Sequence, residues 1–334
     1  MPLHTAIIQA CAIAICCVGA ASRDAAALQN PSAVPKGESN QVVDTMFPAS
    51  PPRHPAFAPG RGPRVMIDEA HHNFHTAGGR FRPFAKWLEA DGFRVSAGTK
   101  HITTSSLAAT QILVVANALA ARDVQVADWR LPTTPAFTPD EVDAIVAWVR
   151  GGGALLLIAD HMPFPGAVEP LAAAFGADFA NGFALFGSED PRTGDYPIVF
   201  RRRDGTLMAG PIVDGRNASE RIDSIETFTG TAFHLSGRSG GILALPVGTR
   251  LELPIVAWQF SDTTPAMRAD GLLQGAAFAF GRGRVAIFGE AGMFTAQRKG
   301  VDRVPMGFND PAASQNPQFI LNVLHWLAGI HLGA

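Results

Sequence analysis

The pattern of apolar and polar positions divides the chain into alternating strands and helices. Val65-Met66-Ile67 is a short apolar run that predicts a buried strand. A helix follows, with Pro83 in its first turn, Phe84, Trp87 and Leu88 on one face, and Gly92 closing it. Ile112–Ala116 is wholly apolar and predicts a second buried strand. Thr138, Pro139 and Glu141 form a capping box ahead of Val142, Ile145, Val146 and Val149, which share one helical face. Gly151-Gly152-Gly153 stops that helix, and 154–159 forms another continuous apolar run. Strands that are apolar on both faces and separated by helices imply a parallel sheet in an α/β layer fold.

From about 176 to 260 the pattern changes. Short runs such as 242–245 and 255–258 are separated by Gly, Pro, Arg and Asp, which predicts a β-rich extension. The α/β rhythm returns with strands at 276–280 and 284–288. A last helix is expected from Asn316, as its cap, and Pro317 through Leu327, presenting Phe319, Ile320, Val323 and Leu324 on one face.

Before Arg64 the reading differs. Residues 6–19 are apolar except for Gln9 and end in small residues, too short for a span of about 20 residues. Residues 1–21 therefore read as an export signal cleaved near Ala20, which makes the mature protein periplasmic or secreted. A lipid anchor on Cys16 or Cys17 and a retained anchor are the alternatives. Residues 22–63 carry repeated prolines and read as a tether, with 64–334 as the body. All three cysteines, Cys11, Cys16 and Cys17, precede the expected cleavage point. The mature chain would then have no disulfide, thiolate metal site or cysteine nucleophile. Composition adds two exclusions. With 47% hydrophobic residues among 334, the chain can bury a large core, and a formal charge of −2 without basic runs gives no footprint for nucleic acid.

In open parallel sheets, ligands bind beyond the carboxyl ends of the strands. Asp68-Glu69-Ala70-His71-His72-Asn73-Phe74-His75 follows the first strand, Asp160-His161 with the rigid Pro163-Phe164-Pro165-Gly166 turn follows the central one, and Gly289-Glu290 follows the late one. Four of the ten histidines lie in these turns. Carboxyls and imidazoles meeting at one rim suit general acid–base catalysis or a divalent metal such as zinc or manganese. Asp160, His161, Glu290 and Glu69 are the catalytic candidates. Asp68, His71 and His75, with His161, are the metal candidates, and Asn73, Asn309 and Gln315 are candidate substrate contacts. The structural alternatives are turn bonds from Asp68 and Asn73, a helix cap from Glu290, a solvated His72 and a packing role for His325. His101 carries no signal. Neither a P-loop nor a G-x-S-x-G elbow is present.

The runs Ile67-Asp68-Glu69-Ala70-His71, Ala159-Asp160-His161 and Phe288-Gly289-Glu290-Ala291 resemble bacterial DUF4350-type proteins. Those are similar to the class I glutamine amidotransferase-like superfamily and to a domain of gliding-motility and intraflagellar-transport proteins. The resemblance spans about 64–331 and implies a flavodoxin-like three-layer α/β sandwich with a mainly parallel sheet. Amidotransferases carry a cysteine after the central strand, where this chain has Asp160-His161. The resulting expectation is an exported hydrolase-like enzyme acting on a small polar or carbohydrate-like substrate. The alternative is a non-catalytic ligand-binding or scaffold module.

Overall fold

The computed structural model describes residues 41–330 apart from 49, 125, 127 and 188–196. The expected export signal and residues 22–40 of the tether lie outside the described residues. The chain is a mixed α/β protein with several sheets. Its largest sheet has nine strands: β1 (Arg64–Asp68), β2 (Arg94–Gly98), β3 (Ile112–Ala116), β4 (Ala154–Ile158), β5 (Ala177–Phe179), β6 (Phe233–Leu235), β7 (Gly241–Ala244), β8 (Leu273–Phe280) and β9 (Gly283–Phe288). They lie in the order β2-β1-β3-β4-β9-β8-β6-β5, with β7 also paired to β8.

Four pairings are parallel, β1 with β2, β1 with β3, β3 with β4 and β4 with β9. The other four, β8–β9, β6–β8, β7–β8 and β5–β6, are antiparallel. A mainly parallel sheet is therefore too simple a description: the parallel half ends at β9. There a tight turn at 281–282 reverses the chain, so β8 and β9 form a hairpin without a crossover helix. The β-rich extension supplies β5 to β7 and two small sheets, one of them Pro197–Arg201 paired with Ser224–Phe228.

The central strands β3 and β4 are buried at every position, so alternate residues face two cores. Val114, Leu156, Ile158 and Phe288 join one cluster with helices α1 (Arg82–Ala90) and α4 (Asn316–Leu327). Leu113, Val115, Leu155, Leu157 and Ile287 join the other, with α2 (Pro139–Arg150) and α3 (Phe164–Ala174). The capping box of α2 forms as expected.

α4 starts one step differently from expectation. Asn316 is buried inside the helix, where its Oδ1 accepts the Glu226 N–H and its Nδ2 donates to the Glu226 carbonyl. Gln315 takes the preceding position.

Parts of the proline-rich segment pack on the body. Val42–Val43 pairs with Gln297 and Arg298, Phe47 meets Phe308 edge-on at 4.9 Å, and Phe57 meets Phe93 at 5.1 Å. Spaced aromatics among prolines cover apolar surface without needing helix or strand periodicity. Asp91, wholly buried at the end of α1, anchors this layer. It accepts the Ala56 N–H at 2.8 Å and lies 2.6 Å from His325 Nε2, confirming a packing role for His325. Asp91→Ala would leave a buried imidazole and a backbone N–H without their acceptor. It is expected to lower unfolding free energy by about 3–5 kcal/mol in urea denaturation. A loss below about 1 kcal/mol would contradict this role.

Candidate active site

Ala116, Ile158 and Phe288 end β3, β4 and β9 in one row, because Ala116 pairs with Ile158 and Ile158 pairs with Phe288. The residues just beyond that row therefore meet at the carboxyl edge. Asn117, in the left-handed region at φ 49°, accepts the Asp160 N–H on its Oδ1 at 2.9 Å. Its carbonyl accepts the Phe74 N–H, so the loop after β1 is laid across the end of β3.

Asp160 is half-buried, and its Oδ1 accepts the His161 N–H at 2.8 Å. His161 places Nδ1 2.8 Å from the Met162 carbonyl. That fixes Nδ1 as the donor and leaves Nε2 as the ring's working nitrogen. The imidazole stacks on Phe183 at 4.8 Å and 11°, meets Trp258 at 4.6 Å, and lies 5.9 Å from Phe164. Phe260, Trp129 and Phe74 continue this aromatic wall. Trp258 is half-buried at φ 65°, an unusual backbone state for a bulky residue. It follows segment 255–257, which bonds to 129–131. Arg122, Asp123, Asp128 and Arg130 line a depression of about 320 Å³ on that side.

Glu290 is buried, and its carboxyl caps the turn at Gly292–Phe294 by accepting the N–H groups of Gly292 and Met293. The capping role and an electrostatic role coexist. Burial and the charge of Asp160 push the Glu290 carboxyl well above the usual carboxylate range, against the opposing pull of those backbone donors. His75 is fully enclosed, with Nδ1 lacking a hydrogen-bond partner and its ring 4.8 Å from Phe81. Burial, then Arg80 and His161, hold it well below the ordinary imidazole pKa, so it is neutral.

A second group forms at the β1–β2 side. His71 Nδ1 lies 2.8 Å from Asp68 Oδ2, and its Nε2 lies 3.1 Å from Glu141 Oε1. His101 Nδ1 lies 3.0 Å from the same oxygen. Burial opposes a charged His71, but the hydrogen bonds and charges of Asp68 and Glu141 outweigh it and raise its pKa. Glu141 is lowered to about 2: burial works against its charge, and N–H and O–H donors from Thr138 together with the Ile102 N–H more than compensate.

The sequence candidates therefore fall into several places. Asp160, His161 and Glu290 share the central edge, and His75 feels His161 from beneath. His71 and Asp68 belong to the second group, so Asp68, His71, His75 and His161 do not make one metal centre. Among the described residues, the set able to hold an ion is His71, His101 and Glu141. Glu69 accepts the Ala77 N–H, and Asn73 accepts the His71 N–H, so both shape the loop. His72 is exposed at φ 46°, as a solvated turn residue.

Asn309 and Gln315 are corrected more fully. Asn309 donates to Asp44 and the Gln297 carbonyl, while Gln315 accepts from Asp223 and Ser224 and donates to Arg221. Both amides tie loops together. Sequence reasoning missed Asn117, Trp258, His101 and Glu141. Asn117 had a usable signal, being the first polar residue after a wholly apolar strand. Glu141 was read only for its capping bond.

No protein-family model matches the chain, and no curated protein matches it. Among solved structures it is similar to the N-terminal domain of mmIFT52, at 12% identity over 79% of this chain and 97% of that one, with a TM-score of 0.54. A ThuA-like protein from Bacteroides uniformis covers 84% of this chain and 95% of its own at 13% identity, with a TM-score of 0.39. Another from Parabacteroides merdae covers 82% and 92% at 10% identity, also at 0.39. Of these three, the IFT52 domain shows a shared fold, and at that identity nothing beyond the fold.

The Glu141 environment has a measurable consequence. A carboxylate whose folded pKa lies below its unfolded value stabilises the protein above the unfolded pKa, and that contribution fades as pH falls through the folded value. Glu141→Gln is expected to lose about 2–3 kcal/mol at pH 7, with the difference from wild type shrinking between about pH 4.5 and 2. Chemical denaturation across that range checks it, and a pH-independent difference would contradict it.

Proposed function

We propose that the protein is a hydrolase-like acid–base enzyme acting on a small polar, carbohydrate-like substrate at Asp160 and His161. The observation that carries this reading is the shared edge: Ile158 pairs with Phe288, so Asp160-His161 and Glu290 follow paired strand ends, and burial together with the Asp160 charge pushes the Glu290 carboxyl well above its ordinary range. Carboxyls beside an imidazole, one of them with a raised proton affinity, suit acid–base chemistry near neutral pH.

In the proposed reaction, Asp160 removes a proton from an attacking water. A protonated His161 Nε2 delivers a proton to the departing oxygen. Glu290, enclosed and capping the turn at Gly292–Phe294, is a positioning residue at the same edge. The half-buried Trp258 and Phe260 offer aromatic faces against which the apolar side of a sugar ring can lie. The aspartate-histidine turn occupies the place held by the cysteine in amidotransferase-like sandwiches, and we read the body as a rebuilt member of that flavodoxin-like architecture. Export through residues 1–21 belongs to the same reading and predicts a mature N-terminus near Ala21 by mass spectrometry. A Met1 start would refute cleavage.

A binding or scaffold module is the second reading. It is favoured by Glu69 and Asn73, polar residues of the loop after β1 whose side chains accept the protein's own backbone N–H groups. A glycosidase and esterase substrate screen separates the two. Hydrolysis is expected from the wild-type chain, with a loss of kcat of at least about 100-fold in Asp160→Asn and His161→Ala. Equal turnover in wild type and both variants would remove the site assignment. Tight sugar binding without turnover would establish the second reading.

A further inference from the structure

We infer that His71, His101 and Glu141 form a binding site for a zinc-like divalent transition-metal ion, separate from the Asp160 site and independent of its reading. Three loops deliver the ligands: the turn after β1, the connection after β2, and the first turn of α2. One ligand atom from each of His71, His101 and Glu141 lies within 4.8 Å of the other two, and His71 Nε2 and His101 Nδ1 both face Glu141 Oε1. Ligand atoms about 2.0–2.1 Å from a tetrahedral zinc stand about 3.3 Å apart. The observed separations of 3.0 and 3.1 Å to Glu141 Oε1 need to open by only a few tenths of an ångström. His101, whose side chain is 80% exposed, is free to adjust.

The groups behind the ligands strengthen the case. Asp68, buried at 1% exposure, holds His71 Nδ1 at 2.8 Å, which assigns the proton to Nδ1 and turns the Nε2 lone pair toward Glu141 and His101. A carboxylate that orients a histidine in this way is the usual support for a metal-bound imidazole. Glu141 is held on both oxygens, Oε2 by Thr138 and Oε1 by the Ile102 N–H. Phe137 covers the His71 ring at 4.0 Å, so the buried side of the site is dry. Solvent reaches it from the His101 side, which leaves coordination positions for water. His71 Nε2 lies 3.1 Å from Glu141 Oε1, and the bound ion sits between them. Two imidazoles and one carboxylate favour zinc and its transition-metal neighbours over magnesium or calcium.

Zinc titration of the chelator-treated full chain, followed by calorimetry and by cobalt visible absorption, tests the inference. The expected result is saturable binding near one ion per chain, weakened at least tenfold by His101→Ala. Asp68→Asn should weaken it by about 10–100-fold. Because His101 is exposed, the metal-free His101→Ala protein should melt where the wild type does, so lost binding is not lost folding. His161→Ala should bind zinc as the wild type does. Absence of stoichiometric binding, wild-type affinity in His101→Ala, or loss of binding in His161→Ala would overturn it.

Discussion

The parallel register of β3, β4 and β9 is the constraint on which the rest depends. Three apolar strands buried on both faces have no freedom to slip, since a one-residue shift would send every side chain to the opposite core. With Ala116, Ile158 and Phe288 locked in a row, the next residues of each strand must emerge together at one edge. Asn117, Asp160 and Glu290 are polar there because the ladder has ended and their backbone groups need partners. The acid–base chemistry proposed for this edge therefore grows from a packing requirement on the strands beneath it.

Electrostatics at the edge is set by how many donors each carboxyl receives and how much water reaches it. Glu141 is surrounded by N–H, O–H and imidazole donors and remains charged despite burial. Glu290 also caps a turn, yet its enclosure and the nearby Asp160 charge win, and it keeps its proton. His75, enclosed beside Arg80 and His161, is neutral for the complementary reason. Three titratable groups on one side of one sheet thus hold three different proton affinities, each with a local cause.

Much of the central architecture was legible in the sequence. The apolar runs at 112–116 and 154–158 gave β3 and β4, and Thr138 with Glu141 marked the start of α2. The order Asp160-His161 and the position of Glu290 followed from asking what lies beyond each buried strand. Other features were not legible. β2 carries Arg94 and Ser96 and has no apolar run to reveal it. The packing of Phe47 and Phe57 rests on isolated aromatics among prolines, a pattern without periodicity. Asn309 and Gln315 looked available because polar residues in loops do, but they bond to groups distant in sequence that spacing cannot disclose. His101 was silent because its value comes from Glu141, 40 residues away.

The central claim is that burial and the neighbouring Asp160 charge raise the proton affinity of Glu290 at the sheet edge. Carbon-13 NMR titration of the Glu290 side-chain carboxyl, in wild type and in Asp160→Asn, addresses it directly. The account predicts that Glu290 titrates well above the ordinary carboxylate range and moves back toward it when Asp160 loses its charge. A Glu290 that titrates in the ordinary range, indifferent to Asp160→Asn, would contradict it.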